Sequence, residues 1–268
     1  MRSPLCAALL LCLCLSVPQS GRADARVPAD AGWTDAAWIA LDLGVLFGLK
    51  LSVPHAHQDG DRAELPQVDA WAVEWGTHDD ALVTSNVGVG LGVTWAALHS
   101  ALAGRDSGAH TGLAHAVTYT ESVLTTLAVA EIAKQAVQRP RPCTYQTPRR
   151  LDRDLGCSPE DDDAYLSFFS GHTATAAAIS ATAAYWAVRD GSATRTALTV
   201  AAGVALTTAI GVERVRAGKH FLTDVLVGAA AGAVVGTLTP WLRGERAAGR
   251  DSPAANATPA ALGLAGVF

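Results

Sequence analysis

Between residues 26 and 250, four long stretches of this chain contain no Asp, Glu, Lys or Arg: 81–104, 164–188, 196–212 and 225–242. Each is mostly apolar and 17–25 residues long. Runs of that length and character are candidates for membrane-spanning helices, or else lie at the centre of a compact helical protein. They are rich in Ala, Gly and Thr where many spans are rich in Leu, which suits close helix–helix packing in lipid. With 50% apolar and 17% charged residues the chain can bury a large core. The favoured reading is all-α: a bundle of about five core helices, transmembrane, with a soluble helical protein as the alternative.

Helices are expected near 83–104, 111–138, 172–189, 195–214 and 220–242. Residues 39–53 are apolar but short and hold Asp42 and Lys50, which suggests a surface or interfacial element and not a span. Residues 54–80 read as a polar loop. The N-terminus has one early Arg, a short apolar stretch and the small-residue ending Ala23-Asp24-Ala25, the layout of a secretory leader. The expected organisation is a leader over 1–25, an extracytoplasmic segment over 26–82, the helical domain over 83–242 and a flexible tail over 243–268. A net charge of −5 gives a nucleic-acid partner no electrostatic support.

Cys6, Cys12 and Cys14 fall in the leader, so the mature chain would keep Cys143 and Cys157. In an exported protein that pair reads as a disulfide. It would close a loop of about 15 residues, worth about 3 kcal/mol by chain entropy.

Three polar clusters stand at edges of the apolar runs. The first is Lys134, six residues, then Arg141-Pro142. The second is Ser170-Gly171-His172, and the third is Arg214, five residues, His220, three residues, Asp224. On a helix, His220 and Asp224 would share one face, and the carboxylate could hold an imidazole nitrogen. That arrangement fixes the tautomer and raises the basicity of the far nitrogen, making His220 a nucleophile. Lys134, Arg141 and Arg214 suit the three oxygens of a phosphate. Gly171 lets the backbone approach an anion, and the amides opening the next helix point toward it. His172 can then protonate a leaving group.

This constellation resembles the phosphatidic-acid phosphatase type 2 superfamily, which includes bacterial acid phosphatases and vanadium haloperoxidases. The family pattern is Lys-x6-Arg-Pro, Pro-Ser-Gly-His and Ser-Arg-x5-His-x3-Asp, and here it spans 134–224 in order. The resemblance implies metal-independent hydrolysis of a lipid phosphate monoester or pyrophosphate through a phosphohistidine, with no cofactor. It implies His220, His172 and Asp224 as catalytic and Lys134, Arg141, Ser170, Gly171 and Arg214 as phosphate-binding.

Two departures stand out: Phe169 replaces the Pro and Glu213 replaces the Ser. A carboxylate at 213 repels substrate unless it points away or is paired, with Arg216 one candidate.

The family places its motifs outside the cytoplasm. A cleaved leader, five spans and a 39–53 segment that stays out of the membrane satisfy that parity. The expected location is a bacterial-type inner membrane with the site facing the periplasm, or else a soluble periplasmic protein. Candidate substrates under the resemblance are phosphatidate, phosphatidylglycerol phosphate, isoprenyl pyrophosphate and lipid A phosphates.

Other polar features have plainer explanations. His99, His110 and His115 read as caps or core residues. Residues 160–163 read as a solvated acidic loop. Arg139, Arg149, Arg150 and Arg153 fit either lipid phosphates or snorkelling. His55, His57 and Asp59 imitate a metal-ligand spacing and favour a rival metallohydrolase, though no later ligand set accompanies them. A vanadate-dependent haloperoxidase is the second rival.

Overall fold

The structure, a computed structural model, describes residues 32–52, 65–75, 77–145, 157–158 and 161–250. The expected leader, the His55/His57/Asp59 set, Arg149, Arg150 and Arg153 lie outside the described residues. Among the described residues the chain is helical without strands.

The helices are α1 (Trp33–Ser52), α2 (Gln67–Glu74), α3 (Asp79–Ser107), α4 (Ala109–Val137), α5 (Gly171–Arg189), α6 (Ala193–Arg216) and α7 (Leu222–Arg250). The five expected helices are α3 to α7, each slightly longer than the expected range. Local chemistry sets their ends. Ser170 and Ser192 cap α5 and α6 by accepting from the amides of Thr173 and Arg195. Helix α4 stops where Gln138 adopts a left-handed conformation (φ 47°), two residues before Pro140.

Helix α5 is the hub, packed against α3, α4, α6 and α7. Its Ala- and Thr-rich surface is buried on nearly every side, including Ala174, Ala176, Ala178 and Ile179. The tightest contact is with α7, where Gly228, Gly232 and Gly236 recur every fourth residue along one face. A Cβ at Gly228 would lie 2.6 Å from the Ser170 carbonyl oxygen, and those at Gly232 and Gly236 would collide with the carbonyls of Ala174 and Ala178. Gly232→Ala should therefore cost about 1–3 kcal/mol through overpacking, read as a Tm lowered by several degrees. Gly90→Ala, whose Cβ meets nothing within 4 Å, should be neutral or stabilising. An unchanged Tm in Gly232→Ala would contradict this packing.

Helices α3, α6 and α7 are each long and apolar enough to cross a membrane. Their outward faces carry Val83, Val87, Val200, Val204, Leu226 and Val234, all exposed. Helix α4 holds Glu121, Glu131 and Lys134, and α5 is enclosed by its neighbours, so the expectation of five spans is narrower here: three helices qualify by length and composition.

The N-terminal reading needs correction. Residues 39–52 belong to a twenty-residue helix that lies along α4. Its Asp42 accepts from Thr125 Oγ1 at 2.7 Å, and its Asp35 lies 2.6 Å from Arg243, which also holds Glu121 at 2.9 Å. These buried partners explain how a helix with two internal carboxylates joins the bundle: each acid has a donor from a neighbouring helix. Arg243 thus belongs to the core and not to a flexible tail, and α7 continues to Arg250. The 54–80 loop is also not all loop, because α2 anchors its end with Asp69 fully buried. Helix α1 packs in the bundle but is not among the three helices that qualify as spans.

Candidate active site

The three motifs converge at one end of the bundle. Lys134 lies on the last turn of α4, Arg141 follows it, Gly171 and His172 open α5, Arg214 closes α6, and His220 precedes α7. A Cβ at Gly171 would be 3.9 Å from Lys134 Nζ, which joins the first motif to the second. Lys134, Arg141 and Arg214 all act electrostatically on both His172 and His220, which joins the third.

His220 is 2% exposed, and its Nδ1 lies 2.7 Å from the Ser167 carbonyl oxygen. A carbonyl only accepts, so Nδ1 carries the hydrogen and Nε2 the lone pair. Burial, followed by Arg214, Arg141 and Lys134, pushes the imidazole pKa well below its usual 6.5. The ring is neutral at physiological pH, as a nucleophile must be.

Asp224 does not touch His220. Its Oδ2 accepts from the Phe221 amide at 2.9 Å, the N3-to-N-cap half of a capping box. That bond starts α7 after His220, so the two residues never share a helical face. Asp224 acts instead through Ser167, whose hydroxyl donates to Oδ2 at 2.5 Å while its carbonyl orients the imidazole. The expected contact between carboxylate and imidazole is thus replaced by one that runs through Ser167.

Asp224 Oδ1 also holds Arg139 Nη1 at 2.6 Å, and Arg139 Nη2 reaches Asp69 of α2 at 2.8 Å. The guanidinium lies over the Phe221 ring, 4.0 Å from its centroid. Arg139 is therefore an internal tie between two buried carboxylates. The sequence offered Arg139 as one of several basic residues, and nothing in its spacing pointed to Asp69.

His172 Nε2 lies 2.8 Å from Oδ1 of Asn86 on α3, a partner that sequence spacing did not indicate. The Ser170 hydroxyl is engaged by Thr173 Oγ1 at 3.0 Å and caps α5. What Ser170 contributes to an anion is the helix start it fixes, with its unpaired amides and positive dipole end.

Arg141 and Arg214 are each 4% exposed, and the Nε of each is buried without a hydrogen-bond partner. Arg141 Nη2 meets Asp163 Oδ1 at 2.7 Å, so one member of the acidic loop is an ion-pair partner and not merely solvated. Burial lowers the Arg141 pKa, with Asp163 opposing it. Glu213, the departure with the greatest potential to repel an anion, is paired: Arg216 Nη1 contacts its two oxygens at 3.0 and 2.8 Å. Cys143 and Cys157 form the expected disulfide, clamping the chain just after Arg141. His99 and His115 are core residues as expected, His99 bonded to Tyr119 and His115 stacked on Trp186.

A neutral imidazole near Lys134 and the buried Arg141 and Arg214, beside a second imidazole and a helix N-terminus, has the chemistry that phosphoryl transfer needs. The chain matches the family model of the PAP2 superfamily over residues 115–248, half of its length, and belongs to that superfamily. It is a phosphoric ester hydrolase of that class. No curated protein matches it. Among solved structures, that of the first transmembrane PAP2 type phosphatidylglycerolphosphate phosphatase from Bacillus subtilis is similar at 18% identity and a TM-score of 0.44. That match covers 91% of this chain and 98% of the other. A likeness that distant carries no argument about substrate.

Proposed function

We propose that this protein is a metal-independent lipid-phosphate phosphatase working through a phosphohistidine at an extracytoplasmic site. The observation that carries the reading is the neutral His220, its Nε2 lone pair set by the Ser167 carbonyl and faced by Lys134, Arg141 and Arg214. His220 Nε2 attacks phosphorus and the ester P–O bond breaks, while His172, held as an imidazolium by the anionic substrate, gives its Nδ1 proton to the departing oxygen, its Nε2–H staying with Asn86. Water then attacks the phosphohistidine and yields a proton to His172 Nδ1, which releases phosphate and restores His220 as neutral imidazole and His172 as imidazolium.

A lipid substrate is supported by an apolar groove of about 640 Å³ between α5, α6 and α7. It starts at Ala177, Thr208 and Ala229, one to two turns below His172, Arg214 and Asp224, and runs toward Val188. Its size and lining suit an alkyl chain.

The orientation rests on the Cys143–Cys157 disulfide, which belongs in an oxidising compartment.

Purified protein in detergent should release phosphate from lipid phosphates at the same rate with and without EDTA. It should be inhibited by orthovanadate and should not oxidise halides. Loss of activity in EDTA with recovery on adding a divalent cation would favour the metallohydrolase and overturn this mechanism.

A further inference from the structure

Helix α2 lies outside the residues that match the family model, 115–248, and none of the three motifs includes any part of it. Its Asp69 is nevertheless fully buried, and both of its oxygens are engaged by residues that flank the site. Oδ1 accepts from the Thr223 amide at 3.1 Å, and Oδ2 from the Thr223 hydroxyl at 2.6 Å and from Arg139 Nη2 at 2.8 Å. The Thr223 amide is one of those that open α7 without a partner inside the helix. Asp69 therefore secures, from a distant segment, the helical turn that carries Asp224.

Arg139 is divided between two carboxylates. Nη2 goes to Asp69 and Nη1 to Asp224 Oδ1, with the guanidinium resting on the Phe221 ring. An arginine that faces a single carboxylate closes on it with both nitrogens in the favoured geometry. Asp69 prevents that closure by holding Nη2, which leaves Asp224 Oδ2 to the Ser167 hydroxyl and the Phe221 amide. Ser167 is fixed again through its amide, which donates to the Arg139 carbonyl at 3.0 Å, and its own carbonyl accepts from His220 Nδ1. The Asp224 carbonyl accepts from the Ser170 amide at 3.1 Å, so the start of α5 is tied to the same residue.

We propose that Asp69 is a positioning residue for phosphoryl transfer. By holding Arg139 Nη2 and the first turn of α7, it keeps Asp224 Oδ2 on Ser167 and so aims His220 Nε2 at phosphorus. The proposal rests on the phosphatase reading above, with His220 as the nucleophile. A misaimed nucleophile slows the chemical step, whereas Lys134, Arg141 and Arg214 hold the anion whichever way the imidazole turns.

The test measures kcat and KM on dioctanoyl phosphatidate and on p-nitrophenyl phosphate, with inhibition by inorganic phosphate and by orthovanadate. Asp69→Asn keeps the size of the side chain and removes the charge that holds Arg139. It should lose about 10- to 100-fold in kcat, equally on both esters and so unlike a lost proton donor. KM and the inhibition constant of phosphate should stay within about threefold of wild type. Orthovanadate, which mimics the five-coordinate state and bonds the attacking nitrogen, should bind about tenfold more weakly or worse. Ser167→Ala should lose to a similar degree, and the double variant no more than the worse single one, because the two residues act in series. Arg139→Lys keeps a cation without the planar fork, should show the same loss confined to kcat, and decides the matter if Asp69→Asn fails to fold. An unchanged kcat, losses shared equally with phosphate affinity, or losses that multiply in the double variant would overturn the proposal. A wild type inactive on both esters, or a fully active His220→Ala, would overturn the phosphatase reading itself, and this proposal with it.

Discussion

Replacing His220 with Ala is expected to abolish turnover, by about 10⁴-fold or more as for other lost nucleophiles, and to leave the protein folded. The fold should survive because the loop before α7 is held by other bonds. Asp224 caps the helix through the Phe221 amide and ties Arg139 to α2 through Asp69. Removing the imidazole leaves the Ser167 carbonyl without one partner, a cost of about 1–3 kcal/mol. Both kcat and kcat/KM should fall together, with phosphate binding retained by Lys134, Arg141 and Arg214. Substantial activity in His220→Ala, with an unchanged melting curve, would place the nucleophile elsewhere.

The second large effect is expected at His172. Its Nε2 is held by Asn86, so the ring is oriented at the mouth of α5 beside the phosphate cradle. The more basic the departing oxygen, the more it needs a proton. His172→Ala should therefore lose roughly 100-fold or more on an alkyl or lipid monophosphate, and much less on p-nitrophenyl phosphate, whose leaving group departs without help. Asn86→Ala should show the same pattern in weaker form, as expected when a ring loses its holder but keeps its proton. Equal losses on activated and unactivated esters would assign His172 to binding or to shaping the site.

The parts of this molecule legible in the sequence were those fixed by local pattern. The uncharged runs gave α3, α5, α6 and α7. Ser170 and Ser192 gave helix starts by their capping chemistry, and the pairing of Cys143 with Cys157 followed from export. The motif spacings brought Lys134, Arg141, His172, Arg214 and His220 to one end of the bundle, and Arg216 did pair with Glu213.

What escaped were contacts between elements far apart in the chain. Asp35 and Asp42 looked like reasons to exclude the first helix from the bundle, because sequence cannot show that Arg243 and Thr125 await them. The tie from Asp69 to Arg139 to Asp224 joins three separate segments. The His220–Asp224 spacing misled for a physical reason: it assumed a helix through both residues, and the Asp224 carboxylate itself starts that helix one residue after His220 and Phe221.

The central claim is that a covalent bond forms between His220 and phosphorus. It is tested most directly by quenching the enzyme during turnover of a radiolabelled lipid phosphate in alkali and locating the label by peptide mapping. The mechanism predicts an acid-labile, alkali-stable phosphate on the peptide carrying His220, absent in His220→Ala and accumulating in His172→Ala with an activated ester, where breakdown lacks its base. Label on another residue, or active enzyme that never retains label under rapid quench, would contradict it.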